Sequence, residues 1–187
     1  MRSLQTIIGI ALLTFFIATF SSYGADVAKI GVIDFQRILE TSSAGKASQA
    51  EINKQGKAME AELKKNQEDL EEIKKRLERE ALVMTKDMRE EKEREFRIKV
   101  NDFRALEQKF KKDISDLNKR LVKRMQDDVF DLVEEIGKKE GYLLVVEKTE
   151  GGVVYAPNTI DITDKLIQLY NTRFAQKTEK KEKSDKK

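Results

Sequence analysis

The feature that most constrains this chain is a long central run without helix breakers. From Ser43 to Glu140 there is no proline, and glycine occurs only at positions 45, 56 and 137. Across all 187 residues, 38% are charged, one is proline and nine are glycine. A high charge fraction with few breakers is typical of long solvated helices. We therefore expect a mostly α-helical chain rather than an ordinary globular enzyme.

Apolar residues in this run recur every seven positions, in two separate halves. The first half has two such rows, formed by Leu63, Leu70, Leu77 and Met84 and by Ile52, Met59 and Ile73. The second half also has two rows, formed by Phe96, Phe103, Phe110 and Leu117 and by Val100, Ile114 and Leu121. Narrow apolar seams of this kind indicate coiled-coil packing rather than a broad globular face.

The seams lose their phase around VMTKDMREE, residues 83–91, which predicts a turn. Thr85 can cap a second helix there, with Asp87 near its positive end. Roughly 42 residues precede the turn and about 50 follow it, so each arm is roughly 60–75 Å long at about 1.5 Å per residue. Nearly equal arms return the chain to its starting point. Residues 45–140 are therefore predicted to form an antiparallel helical hairpin.

Short apolar segments flank this hairpin and predict a small body made of residues 25–44 and 141–175. Lys29–Asp34 is a predicted strand, and a strand needs a partner for its backbone groups. Two further strands are predicted after the second arm, at YLLVVEK and at VVYAP, with a turn at TEGG between them. Asp161 or Thr163 can begin a terminal helix, and residues 176–187 predict a disordered charged tail. The fold class is thus α+β, mostly α, with the hairpin inserted into a β-rich oligomerisation body.

This body is too small to secure its own core, which points to oligomerisation. Its strands are almost wholly apolar and should continue into another copy of the chain. The predicted oligomerisation residues are Ile30, Val32, Ile33, Leu143, Leu144, Val145, Val146, Val153 and Val154.

The N-terminus has the three-part pattern of a cleavable secretory signal peptide, residues 1–24. Arg2 precedes an apolar core of residues 7–20, which is shorter than the roughly 20 residues that span a membrane. Small residues then precede a cleavage site before Ala25. The mature chain is expected outside the cytoplasm. Retention of residues 1–24 would instead make the protein a membrane-anchored rod.

The composition argues against catalysis, cofactor binding and metal binding. The chain has no His and no Cys, so zinc and thiol chemistry lose their usual groups. SSAGKAS superficially matches a phosphate-binding loop, but Glu40 stands where its first glycine should be and Ala47 follows Lys46. The hairpin carries 25 basic and 24 acidic residues. This balance predicts no nucleic-acid partner.

The assembled chain resembles the Skp/OmpH family of periplasmic chaperones. The matching parts are AKIGVIDFQRILETSSAGKAS, the charged helical hairpin, GYLLVVEKTEGGVVYAPN and DITDKLIQLYN. The resemblance implies a jellyfish-like homotrimer in which a β-rich body carries three helical tentacles. It also implies an ATP-independent holdase that binds unfolded outer-membrane β-barrel proteins along a diffuse inner tentacle surface. Because the arms are nearly neutral, the sequence leaves open whether they steer clients electrostatically. It also leaves open a weak contact with lipid or lipopolysaccharide.

A second hypothesis comes from a different class of protein. A structural or adaptor coiled coil of the cell envelope would share the same hairpin. It would bind one defined partner at the turn near Met84 to Arg89, whereas a chaperone would protect many unrelated barrel proteins.

Overall fold

A computed structural model describes residues 28–185, so the predicted signal peptide lies outside the described residues. The described chain is mostly helical with one small sheet. In chain order its elements are β1 (Ile30–Ile33), α1 (Phe35–Thr41), α2 (Ser43–Glu80), α3 (Lys86–Glu140), β2 (Leu144–Glu147), a short 3₁₀ helix (Asn158–Ile160) and α4 (Thr163–Asp185).

Helices α2 and α3 are the two long elements, with 38 and 55 residues. They lie side by side and antiparallel, so that Leu77 shares a groove with Phe96 and Leu70 shares one with Phe103. Thr85 caps α3, and its hydroxyl accepts a hydrogen bond from the Met88 N–H at 3.3 Å. The predicted position of the turn is therefore confirmed.

The end of α3 also follows its sequence signals. Lys138 and Lys139 occupy the last turn, where cations interact favourably with the negative end of the helix. Gly141 has a φ of 71°, a left-handed conformation that glycine adopts without strain. It ends α3 and redirects the chain into β2.

The two strands pair in parallel, although the whole hairpin separates them in sequence. Ile30 lies opposite Leu144, and Val32 lies opposite Val146. On its other side, β1 meets residues 161–162, where the Ile162 N–H donates to the Val32 carbonyl at 2.9 Å. The predicted pairing of the first strand with the chain after the second arm is confirmed.

The prediction of a further strand at VVYAP is wrong for the single chain. Gly152 has a φ of 63° and turns the backbone after β2, and residues 153–157 form no strand. A two-stranded β-hairpin without further strands is only marginally stable in water. The base, which consists of residues 28–44 and 141–175, is thus mostly helical around a two-stranded sheet rather than β-rich.

The core lies at the base, where α1 and α4 pack against the lower part of the hairpin. Ile38, Val129 and Leu166 are fully buried there, and Tyr170 is 2% exposed. Ser42 separates α1 from α2, and its hydroxyl accepts from the Gly45 N–H at 3.1 Å. The helices pack so closely at this corner that a Cβ on Gly45 would lie 1.8 Å from the Leu39 carbonyl oxygen.

The predicted disordered tail is also corrected, because α4 continues through residues 176–185. Lys and Glu are good helix formers, and the segment contains neither proline nor glycine. Lys177 donates to Asp128 of α3 at 2.6 Å, which ties the first turn of this extension to the hairpin.

Candidate client-binding and assembly surfaces

The small sheet has one face toward the core and one face that is partly open. Alternate residues of a strand point to opposite faces. Gly31 faces Ile162 and Tyr142, and Ile33 and Val145 belong to the core. The opposite face, called the open face, consists of Ile30, Val32, Leu144 and Val146. One face of the sheet is therefore covered by the core of the same chain, while the other face leaves part of its apolar surface exposed to solvent.

The open face is covered at one end only. The turn after β2 folds against Val146, and a Cβ on Gly151 would lie 2.2 Å from the Val146 Cγ1. At the other end, Ile30 and Leu144 are 41% and 52% exposed. The outer edge of β2 has no neighbouring strand among the described residues, so half of its backbone groups face outward.

Other large apolar side chains of the base are also exposed. We call the set the base patch: Ile30, Leu143, Leu144, Val154 and Tyr155. Leu143 is 75% exposed, and Val154 protrudes fully into solvent. Ile30 and Leu144 lie opposite each other in the sheet, and adjacent exposed apolar side chains of this kind mark a candidate interaction surface.

The nine residues predicted to join copies therefore divide into three groups. Ile30, Leu143, Leu144 and Val154 lie in the base patch. Val32 and Ile33 are 5% and 2% exposed within one chain, so their side chains are unavailable to a second copy. Because β1 is central in the base, a role of these two residues in joining copies stays a prediction. Val145, Val146 and Val153 are half-buried. Tyr155, which we did not predict, belongs to the patch.

Charged groups hold the base together around the sheet. Lys29 donates to the Glu140 carbonyl at 3.1 Å and lies 4.0 Å from the centre of the Tyr142 ring. A hydrogen bond from Lys165 lowers the pKa of Glu140, and Lys29 adds to this effect against the opposing effect of desolvation. These contacts join the start of β1, the end of α3 and the first turn of α4.

Two further groups in the base have shifted pKa values. Burial raises the pKa of Asp161, but hydrogen bonds from Thr163 and the charge of Arg37 lower it more, so the net shift is downward. Burial, with the charge of Asp128, raises the pKa of Tyr170 to about 12. Both groups lie where α4 packs onto the rest of the base, so they bear on stability rather than on catalysis.

The arms present a different surface, because their seam is only partly closed. The seam residues of α2 and of the distal half of α3 are half-buried, whereas Phe110 and Leu117, nearer the base, are 8% and 7% exposed. Open grooves run between the helices, and the one around Leu70 and Phe103 is also lined by Asn66, Asp69 and Asp102. Apolar and polar groups are therefore accessible side by side along the hairpin.

The outer faces of the arms carry many ion pairs within single helices. Arg89 and Glu93 pair at 2.9 Å, and Lys112 and Asp116 pair at 2.7 Å. These pairs are solvent-exposed, so each contributes little to stability. They keep the arms soluble and nearly neutral, as the sequence predicts.

The turn at the far end of the hairpin exposes two adjacent apolar residues. Leu82 and Val83 are 94% and 84% exposed. Met84 instead turns inward and shares a groove with Leu77 and Phe96. The sequence signal for this surface is the pair of apolar residues that lies outside the heptad phase.

SSAGKAS is the helix corner of the base and not a ligand loop. Lys46 lies in the first turns of α2, and Gly45 is required by the approach of Leu39. Within the described part of the chain, no cluster of His, Cys, Asp or Glu could hold a metal ion. Among residues 28–185, no helix has both the length and the apolar character to cross a membrane.

Comparison with known proteins identifies the family to which this architecture belongs. The family model described as outer membrane protein (OmpH-like) matches residues 29–170, which include both strands, the hairpin and the start of α4. The chain belongs to the OmpH-like family. A Skp-like protein of Pseudomonas aeruginosa is 28% identical over 143 residues, covering 76% of this chain and 84% of the relative.

A solved structure shares the fold. The crystal structure of a putative outer membrane chaperone (OmpH-like) from Caulobacter crescentus superposes with a TM-score of 0.73. The match covers 80% of this chain and 88% of the other, at 18% sequence identity. The resemblance to the Skp/OmpH family noted from the sequence is thus confirmed.

Proposed function

We propose that this protein is an ATP-independent periplasmic holdase that binds unfolded outer-membrane β-barrel proteins and prevents their aggregation. Cleavage of residues 1–24 releases it into the periplasm. It works as a homotrimer joined through the base patch, with three hairpins enclosing the client as tentacles. The arms pack as coiled coils, and clients bind along their inner surfaces. Membership of the OmpH-like family supports this proposal, since the structure described as a putative outer membrane chaperone (OmpH-like) shares its fold.

The observation that carries the proposal is a difference in burial. Apolar side chains are buried in the core of the base but only half-buried in the seam of the hairpin. An unfolded barrel protein exposes alternating apolar strands that pair edge to edge with other chains. The half-buried seam of the arms offers apolar contacts beside amide and carboxylate groups. Many weak contacts of this kind hold a client without a single specific site, and no nucleotide is needed to release it.

The base patch supports the assembly. Ile30 and Leu144 lie opposite each other at the open end of the sheet, and the outer edge of β2 has no neighbouring strand among residues 28–185. Strand addition from a second copy would cover both features. Three copies would then project their hairpins from one shared base.

Dilution of a urea-unfolded outer-membrane barrel protein tests the function. With trimer in excess, light scattering should stay near the buffer baseline, whereas scattering should rise without the chaperone. Unchanged aggregation would contradict the holdase. Protection confined to one defined partner, lost when Met84 to Arg89 is altered, would favour the adaptor alternative.

A pair of matched variants tests the assembly. Leu144→Asp places a charge in the base patch, and we expect native mass spectrometry to find monomers with weakened protection of the client. Leu169→Asp is the control, because Leu169 is 40% exposed on α4, outside the base patch. It should remain trimeric and active. A trimeric Leu144→Asp variant would contradict the proposed interface.

A further inference from the structure

A groove follows the outer half of the hairpin, along the line where α2 meets α3. It has a lower and an upper section, and Ile73 and Lys99 line both, so the two sections are continuous. Toward the base the seam closes, and Phe110 is only 8% exposed. We call this surface the distal groove. Its floor consists of half-buried apolar side chains, which are Leu70, Ile73, Leu77, Phe96, Phe103 and Leu106.

We propose that the distal groove binds one extended strand segment of an unfolded barrel protein, with the apolar side chains of the segment against the groove floor. This inference rests on the proposed holdase function, because the segment belongs to the client. The groove lies within a single arm, so each arm of a trimer would hold a separate strand segment. Strands that are held apart cannot pair edge to edge.

The length of the groove matches a single strand. Its lining runs from Asn66 to Glu80 on α2 and from Lys92 to Leu106 on α3. At about 1.5 Å per residue, each stretch is roughly 21 Å long. An extended chain rises about 3.3 Å per residue, so roughly six residues fit along the groove. A membrane-spanning strand has about 9–11 residues, and the groove therefore holds the middle of one strand.

The rims of the groove favour an extended segment over a helix. They are polar on both sides, with Asn66 and Asp69 on α2 and Lys99 and Asp102 on α3. The backbone N–H and C=O groups of an extended segment need hydrogen-bond partners, and such rims supply them. An α-helix bonds these groups internally and would gain nothing from the rims. The rims therefore recognise a backbone rather than a particular sequence.

The spacing of the floor residues also favours many different client sequences. Leu70 and Leu77 are seven residues apart, as are Phe96 and Phe103, which is roughly 10.5 Å along a helix. Side chains on one face of a strand repeat about every 6.6 Å. Because the two repeats do not coincide, no single register is fixed. A segment can shift along the floor while its apolar face stays covered.

The charges that line the groove favour a segment with a positive side chain. In the lower section Asp69 and Asp102 outnumber Lys99. In the upper section two basic and two acidic side chains balance each other. A cation at one end of the segment is therefore attracted to the lower section. Barrel strands alternate apolar and polar residues, so their polar face can carry this cation without disturbing the apolar face.

Single-cysteine probes locate the client directly, because the chain has no natural Cys. Lys99→Cys and Ile98→Cys, each labelled with a benzophenone, are mixed with a urea-unfolded barrel protein and irradiated. Lys99 lines both sections of the groove, whereas Ile98 is 51% exposed and points about 100° away around α3. We expect the Lys99→Cys probe to capture the client in several-fold higher yield, within segments of alternating apolar residues. Equal yields would overturn the proposal.

A matched pair of fluorescent peptides tests whether the occupant is a strand. Each has about nine residues, the length of a membrane strand. One peptide alternates apolar and polar residues and ends in Lys. The other has the same composition, with its apolar residues three and four positions apart as in a helix. Anisotropy with the full-length mature protein should show at least about tenfold tighter binding of the alternating peptide, which alone buries all its apolar side chains when extended. Equal binding, or tighter binding of the helical pattern, would overturn the proposal.

The double variant Asp69→Asn/Asp102→Asn tests the role of the groove charges. Replacing the terminal Lys of the alternating peptide by Glu should weaken its binding to the wild type by about threefold, as expected for exposed charges. The same replacement should have no effect on binding to the double variant. An equal loss with both proteins would show that the peptide binds elsewhere and would overturn the proposal.

Aggregation assays separate this inference from the proposed function. If the wild type suppresses aggregation but the Lys99→Cys and Ile98→Cys probes capture the client equally, the groove is overturned while the holdase is retained. If the alternating peptide binds with the expected dependence on Asp69 and Asp102 but the wild type suppresses no aggregation, the proposed function fails while strand binding by the groove is retained.

Discussion

The base and the arms are built from similar apolar residues but bury them to different degrees. In the base, Ile38, Val129 and Leu166 lie under four helices and a sheet and are fully buried. In the arms, two helices pack alone, and Leu63 and Leu70 stay half-buried. Two helices can cover only one stripe of each other. This chain thus concentrates its stability in the base and leaves the arms adaptable. Four predictions test this division.

A matched pair of leucine truncations should show the largest difference. Leu166→Ala removes a fully buried side chain and should lower the free energy of unfolding by about 2–5 kcal/mol. Leu70→Ala, in the half-buried seam, should cost about 1 kcal/mol. Urea unfolding followed by circular dichroism, at one fixed protein concentration, measures both. Equal losses would contradict a division between a rigid base and adaptable arms.

Two glycines of the same helix should respond in opposite directions. Gly45→Ala places a Cβ against the Leu39 carbonyl and should destabilise the base by about 3 kcal/mol. Gly56→Ala meets no atom within 4 Å and should stabilise α2 by about 0.5–1 kcal/mol, since alanine is the better helix former. Thermal unfolding of both variants measures the two changes in stability. A neutral Gly45→Ala would mean that the corner at Ser42 is loosely packed.

Alkaline titration should weaken the base through Tyr170. The phenol ionises near pH 10 when unfolded and near 12 when folded, so the unfolded state loses its proton first as the pH rises. This contribution to stability is full below pH 10 and is lost as the pH rises to about 12, a change of about 3 kcal/mol. Relative to wild type, Tyr170→Phe should lose less stability over this range. If the stability of wild type and of Tyr170→Phe changed in parallel with pH, Tyr170 would not be the group responsible.

The smallest effect is expected from an ion pair on the surface of α3. Lys123 and Asp127 pair at 2.6 Å, with both side chains more than half exposed. Water and salt screen such a pair, and ordering two long side chains offsets its attraction. Lys123→Gln should leave the unfolding midpoint and the aggregation assay unchanged within error. A marked loss of holdase activity would instead indicate a local client contact at Lys123.

Much of the hairpin could be predicted from the sequence because local signals agree there. The seven-residue rows, the loss of phase near Met84 and the Thr85 cap all predict the same turn. The pairing of β1 with β2 followed from the prediction of two arms of nearly equal length that return the chain to its starting point. These inferences depend on periodicity and on chain geometry, which a single sequence displays directly.

The base was harder to predict because its structure depends on contacts between distant segments. Nothing local distinguishes Val32, which is buried within the chain, from Leu144, which is half exposed. The break at Ser42 is set by how closely α1 approaches Gly45, and that approach is a tertiary effect. VVYAP has strand-forming residues but no partner strand within residues 28–185. The continuation of α4 beyond Phe174 depends partly on its contact with Asp128.

The parallel pairing of Ile30–Ile33 with Leu144–Glu147 also imposes an order on biosynthesis. The first strand emerges early, yet its partner is made only after the entire hairpin has been synthesised. Local helix formation is fast, whereas joining such remote segments is slow. The nascent chain therefore cannot complete its base before translation is nearly finished.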